Sequence, residues 1–221
     1  PIGVTGVLPP ADCLLAVGFL DHRRGAPMAR IARIDAAAAA TLAEWLERVK
    51  LYDQARVAYE QLRSTDPRRD EYLEALIRVN QRAGGSGHAL FWARRWVQQS
   101  GSADAYARLA SLLQQGDATR EAQEVTDAGL SRYPKSAPLV ALKVKTLLAD
   151  NQLSDARQLL VEQTVGQRLD INDEIVLLKL RIQVETRAGN KRRAARFKSR
   201  LGELENMVKS GYRGLSPRSR L

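Results

Sequence analysis

Apolar residues recur at helical spacing in two successive runs within the segment 131–162. Positions three and four residues apart lie on one side of an α-helix, so each run predicts a helix with one buried face. The first run is Leu139, Leu142, Val144, Leu147 and Leu148, and the second is Ala156, Leu159 and Leu160. Asp150 and Asn151 separate the two runs, and the segment therefore predicts a helical hairpin.

The residues around these runs predict where the two helices begin. Pro134 ends the preceding helix, because it has no amide hydrogen to donate and it disfavours the α conformation at the residue before it. Ser136 is expected to cap the first helix of the hairpin, with Pro138 in its first turn. Ser154 or Asp155 is expected to cap the second helix.

The same unit recurs along the chain at a nearly constant interval. A small alanine opens the second helix of each pair, at Ala55, Ala89, Ala122, Ala156 and Ala194, with successive spacings of 34, 33, 34 and 38 residues. The last spacing is longer because an extended connection, 164–173, precedes the fifth pair, whose first helix Asn172 is expected to cap. Two helices in each period of about 34 residues are typical of a stacked helical array without a sheet.

At this spacing the chain resembles the tetratricopeptide repeat (TPR) family. The family's small, large and proline positions are matched in the first pair by Ala55, Tyr59, Leu62 and Pro67, and in the third by Ala122, Gly129 and Pro134. Trp96 departs from the pattern, because a small residue is usual at its position. The resemblance implies an all-α fold, a right-handed α-solenoid of about five repeats over residues 35–208. Residues 1–34 are then an irregular lead or the remnant of an earlier repeat, and residues 209–221 a basic disordered tail.

In TPR proteins the first helices of successive repeats line a concave groove, and the resemblance implies that this groove binds another protein, a protein segment or a charged polysaccharide. The implied groove residues are polar, acidic at one end and basic at the other: Glu44, Arg48, Glu74, Arg78, Arg82, Gln114, Gln115, Lys145, Lys179, Gln183 and Arg187. The sequence lacks the asparagine and lysine set with which some TPR proteins grip a peptide's terminal carboxylate. That role is therefore not favoured.

The turn Tyr133-Pro134-Lys135-Ser136 resembles turns in TPR proteins of bacterial envelope machines, including those for outer-membrane assembly, pilus biogenesis and exopolysaccharide export. The resemblance implies a scaffold or adaptor in such a machine. It favours the bacterial periplasm or cell envelope over the cytoplasm.

Positive charge is concentrated at the C-terminal end of the chain. Of the net charge of +10, residues 187–221 carry +9. Six of these cations fall on one predicted helix: Lys191, Arg192, Arg193, Arg196, Lys198 and Arg200. Such a cluster attracts phosphates, so binding to RNA or to an anionic surface is the alternative function. Only Phe197 and Tyr212 accompany the charges, too few aromatic rings for a base-stacking platform, so nucleic acid is the less favoured partner.

The last predicted helix also carries an apolar seam. Its members are Ala194, Phe197, Leu201, Leu204 and Val208. The seam either closes the array or meets a partner helix.

Motifs for catalysis, cofactors and metals are missing from the sequence. It contains no GxSxG elbow, P-loop, dinucleotide fingerprint or HExxH motif, and we predict a protein that is not an enzyme and has no cofactor. His22 and His88 are far apart, which argues against a metal site, and a single cysteine, Cys13, excludes an intramolecular disulfide. No apolar run approaches the roughly 20 residues of a membrane span. The chain begins at Pro1, so an earlier segment is expected to precede it.

Overall fold

A computed structural model describes residues 36–163 and 169–212. These residues form ten α-helices and no strand, which confirms the prediction of an all-α fold built from helix pairs. The helices are α1 (Ala36–Arg48), α2 (Tyr52–Thr65), α3 (Asp70–Arg82), α4 (Ser86–Gln99), α5 (Ala103–Gln115), α6 (Thr119–Arg132), α7 (Ala137–Ala149), α8 (Leu153–Glu162), α9 (Ile171–Arg187) and α10 (Lys191–Lys209). The expectations for residues 1–34, which include Cys13 and His22, and for the tail beyond residue 212 lie outside the described residues.

One tight turn joins the two helices of every pair. The backbone N–H of Leu51 donates to the carbonyl of Leu46 with an N···O distance of 2.9 Å, and the turns at the four other pairs contain the same bond at 2.8 to 2.9 Å. The residue before each donor has a positive φ: Lys50, Gly84, Asp117, Asn151 and Gly189. This bond and this φ together are the Schellman motif that ends helices. These five residues are spaced by 34, 33, 34 and 38, the intervals of the alanine pattern.

Of the expected caps, Ser136 lies directly before its helix, and the other two helix starts lie two or three residues earlier than expected. Ser136 precedes α7, but its side chain makes no capping hydrogen bond. Helix α8 starts from Gln152, ahead of the expected Ser154 or Asp155, because the Schellman turn leads directly into it. Asp170 rather than Asn172 caps α9, and its carboxylate accepts from the backbone N–H of Asn172 at 2.8 Å.

Contacts between Cα atoms divide the chain into two units, the first ending at Gly101 and the second beginning at Ser102. In the first unit α2 packs on α1, α3 on α2, and α4 on α3. The main core cluster of this unit includes Leu42, Leu46, Tyr59, Leu62, Leu76 and Val79. Trp96 of α4 is buried where the TPR pattern has a small residue. That residues 35–208 form a single continuous array stays a prediction.

In the second unit the first helices α5, α7 and α9 pack side by side, and each second helix packs on its own first helix. Gly129 lets α6 approach α5 and α7 closely because it has no side chain. A Cβ atom at this position would lie 2.9 Å from the Cβ of Tyr106 and 3.0 Å from a methyl group of Leu139. Ala194 and Leu204 of the α10 seam are buried, and Leu204 joins a cluster with Ile171 and Leu178 of α9. The buried part of the seam therefore packs within its own pair.

Candidate functional site

In the first unit, the residues implied for the groove separate into exposed and engaged side chains. Glu44, Arg48 and Glu74 are exposed on α1 and α3. Arg78 and Arg82 instead point at Glu47, whose carboxylate is buried between the helices. The Nε of Arg78 lies 2.6 Å and its Nη2 2.9 Å from the two carboxylate oxygens of Glu47, and the Nη1 of Arg82 lies 2.8 Å away. These two arginines therefore tie α3 to α1.

The buried carboxylate of Glu47 remains ionised because of its partners. Burial by itself would raise the pKa of Glu47, but the hydrogen bond and charge of Arg78, the charge of Arg82 and a hydrogen bond from Tyr59 bring that pKa below its usual value. The Tyr59 hydroxyl donates to Oε2 of Glu47 at 3.4 Å. Burial and the charge of Glu47 in turn raise the pKa of Tyr59. One carboxylate thus connects α1, α2 and α3 by polar contacts.

In the second unit, the implied groove residues lie on three first helices that pack side by side. Gln115, Lys145 and Gln183 are exposed on α5, α7 and α9 respectively. Three others link helices. The Nη1 of Arg187 donates to the carbonyl of Leu148 at 2.6 Å, the Nζ of Lys179 lies 3.0 Å from Oε1 of Glu205, and the Nε2 of Gln114 lies 3.5 Å from the Thr146 hydroxyl.

These contacts join α5 to α7, α7 to α9 and α9 to α10. The surface formed by Gln115, Lys145 and Gln183 is called the first-helix surface below. It is polar, and its one charged member, Lys145, lies on α7, the helix that packs on both α5 and α9.

The predicted basic patch on α10 is exposed except at one position. Lys191, Arg192, Arg193, Arg196 and Lys198 are exposed. Arg200 is only 9 % exposed, and its inclusion in a surface patch is wrong. The α10 periodicity turns it toward α9, where its Nε lies 3.1 Å from Glu174, and its Nη1 lies 3.2 Å from Glu203 of α10 itself.

A second buried carboxylate, Glu185, joins α8, α9 and α10. The Nε and Nη2 of Arg157 donate to its two oxygens at 2.8 and 3.2 Å, and the Nδ2 of Asn190 donates at 2.7 Å. Burial opposes ionisation, but the hydrogen bonds from Arg157 and Asn190 and the charges of Arg157 and Arg193 bring the pKa of Glu185 below its usual value. The arrangement is structural in the same sense as that of Glu47.

Neither a metal centre nor a membrane-spanning helix is found in the described ranges. Residues 36–163 and 169–212 contain no group of three or more His, Cys, Asp or Glu side chains placed to hold an ion. Within the same ranges, every helix is too short or too polar to cross a bilayer.

Solved structures with the same arrangement of helices identify the fold. PilF of Pseudomonas aeruginosa superposes with a TM-score of 0.58 over 87 % of this chain and 89 % of its own, at 16 % sequence identity. PilW, a type IV pilus biogenesis factor, gives 0.56 over 90 % of this chain and 92 % of its own, also at 16 % identity. TTC0263, a TPR protein of Thermus thermophilus, gives 0.54 over 74 % of this chain and 88 % of its own, at 18 % identity.

The chain has a TPR-like fold. Neither a protein-family model nor a curated protein matches its sequence. In this TPR-like chain every residue implied for the groove falls on a first helix, α1, α3, α5, α7 or α9.

The groove pattern did not include Glu47 and Glu185, two buried carboxylates that accept hydrogen bonds from arginines of other helices. Glu47 lies four residues after Ala43 and Glu185 seven after Leu178, on the buried sides of α1 and α9. The sequence signal that could have found these buried carboxylates is a glutamate at helical spacing from apolar residues.

Proposed function

We propose that this TPR-like chain is a non-enzymatic scaffold that binds another protein through its first helices, as part of a bacterial envelope assembly or export machine. The observation that carries the proposal is the first-helix surface. Gln115, Lys145 and Gln183 are exposed on three helices that pack side by side and are joined by side-chain hydrogen bonds. A rigid polar surface loses little conformational entropy when a partner binds, which favours recognition of a protein segment.

Pilus assembly is the process that we favour among the envelope machines. PilW, which covers most of this chain in superposition, is a type IV pilus biogenesis factor. At 16 % identity the likeness concerns the fold, so the support for a shared process is an analogy.

Site-specific photo-crosslinking in the native cells tests the proposal. The crosslinking residue replaces Lys145, and a matched control replaces Glu124 of α6, whose side chain is 65 % exposed on a second helix. We expect a discrete adduct with one protein from position 145 and none from position 124. The same adduct from both positions, or none from position 145, contradicts binding at the first-helix surface.

A second candidate function is binding to an anionic polymer or surface, supported by five exposed cations on one helix. They are Lys191, Arg192, Arg193, Arg196 and Lys198. Their attraction to phosphates depends on salt, which gives the candidate a direct test.

A further inference from the structure

A pocket of about 320 Å³ opens between α8, α9 and α10. It is lined by Leu160, Val161 and Arg157 of α8, by Arg181, Val184 and Glu185 of α9, and by Arg193, Arg196 and Phe197 of α10. A pocket of this size has room for at least one large side chain. Neither the implied groove nor the proposed first-helix surface includes any of the residues that line it.

The interior of the pocket is mostly apolar, and the polar groups of Arg157, Arg181 and Glu185 already have partners. Leu160 and Val184 are almost completely buried, so the accessible apolar surface of the pocket comes mainly from Val161 and Phe197. Arg181 forms a wall, since its Nη2 donates to the carbonyl of Leu160 at 2.9 Å and its guanidinium lies 5.2 Å from the centre of the Phe197 ring. Arg157 neutralises Glu185 through two hydrogen bonds. An apolar group that enters this pocket therefore contacts carbon without separating an ion pair.

The mouth of the pocket is cationic and open to solvent. The Arg193 side chain is 64 % exposed and its Nη1 lies 4.0 Å from Glu185, a longer distance than those of Arg157. Arg196 is exposed three residues further along the same side of α10, and Val161 at the opposite edge is 46 % exposed. Four arginines against one glutamate leave the lining with a positive charge that complements an acidic ligand.

We propose that this pocket binds an acidic segment of a partner protein, with an apolar side chain inserted against Val161 and Phe197 and flanking carboxylates on Arg193 and Arg196. Both features of the lining enter the proposal, because a phosphate or a uronic acid polymer would satisfy the arginines and leave the apolar interior uncovered. This second surface does not depend on the first-helix surface. Arg181 of the pocket and Gln183 of the first-helix surface lie two positions apart on α9, so they are on opposite sides of that helix.

The spacing of the acidic residues follows from the geometry of an extended segment. The proposal places one apolar side chain inside the pocket, so the carboxylates come from other residues on the same side of the ligand. In an extended segment, residues two positions apart point the same way and are separated by roughly 6.6 Å. The expected sequence is therefore a leucine or similar residue with glutamate or aspartate two positions away on each side.

Nuclear magnetic resonance titration of the full chain tests the proposal with a capped peptide, acetyl-Glu-Ser-Leu-Ser-Glu-amide, raised to about 5 mM. We expect saturable shifts of the Nε–Hε signals of Arg193 and Arg196. Acetyl-Gln-Ser-Leu-Ser-Gln-amide and acetyl-Glu-Ser-Ser-Ser-Glu-amide, which lack the charges and the apolar group respectively, should each bind about tenfold more weakly or not detectably. The absence of any shift with the first peptide would overturn the proposal, as would equal affinity for either analogue. Displacement of the first peptide by inorganic phosphate at an equal concentration would also overturn it.

Two variants with the same charge change separate the pocket from general attraction to a basic helix. Arg196→Gln should weaken binding of the first peptide about three- to tenfold. Arg192→Gln is the matched control, because Arg192 is exposed on the same helix but does not line this pocket, and it should leave the affinity unchanged. Both changes affect exposed side chains, so the fold is retained. Equal weakening by the two variants would show diffuse attraction and would refute the pocket, whatever the outcome at Lys145.

Discussion

The close packing at Gly129 predicts that a glycine-to-alanine substitution has opposite effects on stability at Gly129 and at Gly202 of the second unit. Alanine is favoured over glycine by about 1 kcal/mol inside a helix. At Gly202 of α10 an added Cβ meets no atom within 4 Å, so Gly202→Ala should raise the free energy of unfolding by about 0.5 to 1 kcal/mol. At Gly129 the added Cβ would lie 2.9 Å from the Cβ of Tyr106, against about 3.5 Å or more for relaxed carbon atoms.

The strain at Gly129 cannot be relieved by a side-chain rotation alone. The Leu139 methyl groups can turn away, but the Cβ of Tyr106 is bonded to the backbone, so α5 and α6 must separate by about 0.6 Å. Overpacking of this kind costs about 1 to 3 kcal/mol, which exceeds the gain in helix propensity. We expect Gly129→Ala to lower the free energy of unfolding by about 1 to 2 kcal/mol. Urea unfolding followed by circular dichroism at 222 nm measures both variants. Equal stabilisation of the two would refute the close contact of α6 with α5 and α7.

The buried carboxylates and the turns give further tests, and so does the basic helix. Because the pKa of Glu47 is lowered in the folded state, its ion pairs stabilise the protein above the ordinary carboxyl pKa of 4.5, and this stability is lost as the pH falls through the folded pKa. Glu47→Gln should therefore lower the free energy of unfolding at pH 7 by about 1.5 to 3 kcal/mol. In acid, the stabilities of wild type and variant should converge. A difference in stability that is independent of pH would contradict the ionised state of Glu47. Lys50 has a φ of 64°, so Lys50→Gly should stabilise the protein by about 0.5 to 1 kcal/mol. Gly84 has a φ of 80° with open space around it, so Gly84→Ala should destabilise the protein by a similar amount. An effect of the same sign in both variants would contradict the shared turn. For single-stranded RNA we expect a Kd of about 10⁻⁴ to 10⁻⁶ M at physiological salt, measured by fluorescence anisotropy. A sequence-selective complex with a submicromolar Kd, abolished when Arg192, Arg193 and Arg196 are changed to Ala, would make α10 a nucleic-acid site.

Much of the fold could be predicted because each repeat carries the same local information. The alanine that opens each second helix and the residue of positive φ in each turn share one set of intervals, and both features are local in sequence. Glycine occupies only two of the five turn positions, Gly84 and Gly189, while Lys50, Asp117 and Asn151 adopt the same conformation. A search for glycine alone would have missed three turns.

The ends of helices and the partners of polar side chains were harder to predict. Asp170 caps α9 because its carboxylate reaches the amide of Asn172, a choice between neighbouring acceptors that spacing does not decide. Arg78 bonds to Glu47 across 31 residues, and Arg157 to Glu185 across 28. These separations are not the repeat period, so the pairs depend on how the helices are packed. The pocket between α8, α9 and α10 is likewise a product of that packing.

The affinity of the photo-crosslinked partner for purified variants tests the central claim of binding at the first-helix surface most directly. Isothermal titration calorimetry compares wild type with Lys145→Glu and with Glu124→Lys, two charge reversals at exposed positions on a first and a second helix. We predict that Lys145→Glu weakens binding about tenfold or more, because it reverses the charge of the one charged member of the surface, and that Glu124→Lys has no effect. Unchanged affinity for Lys145→Glu, or equal loss in both variants, would contradict the claim.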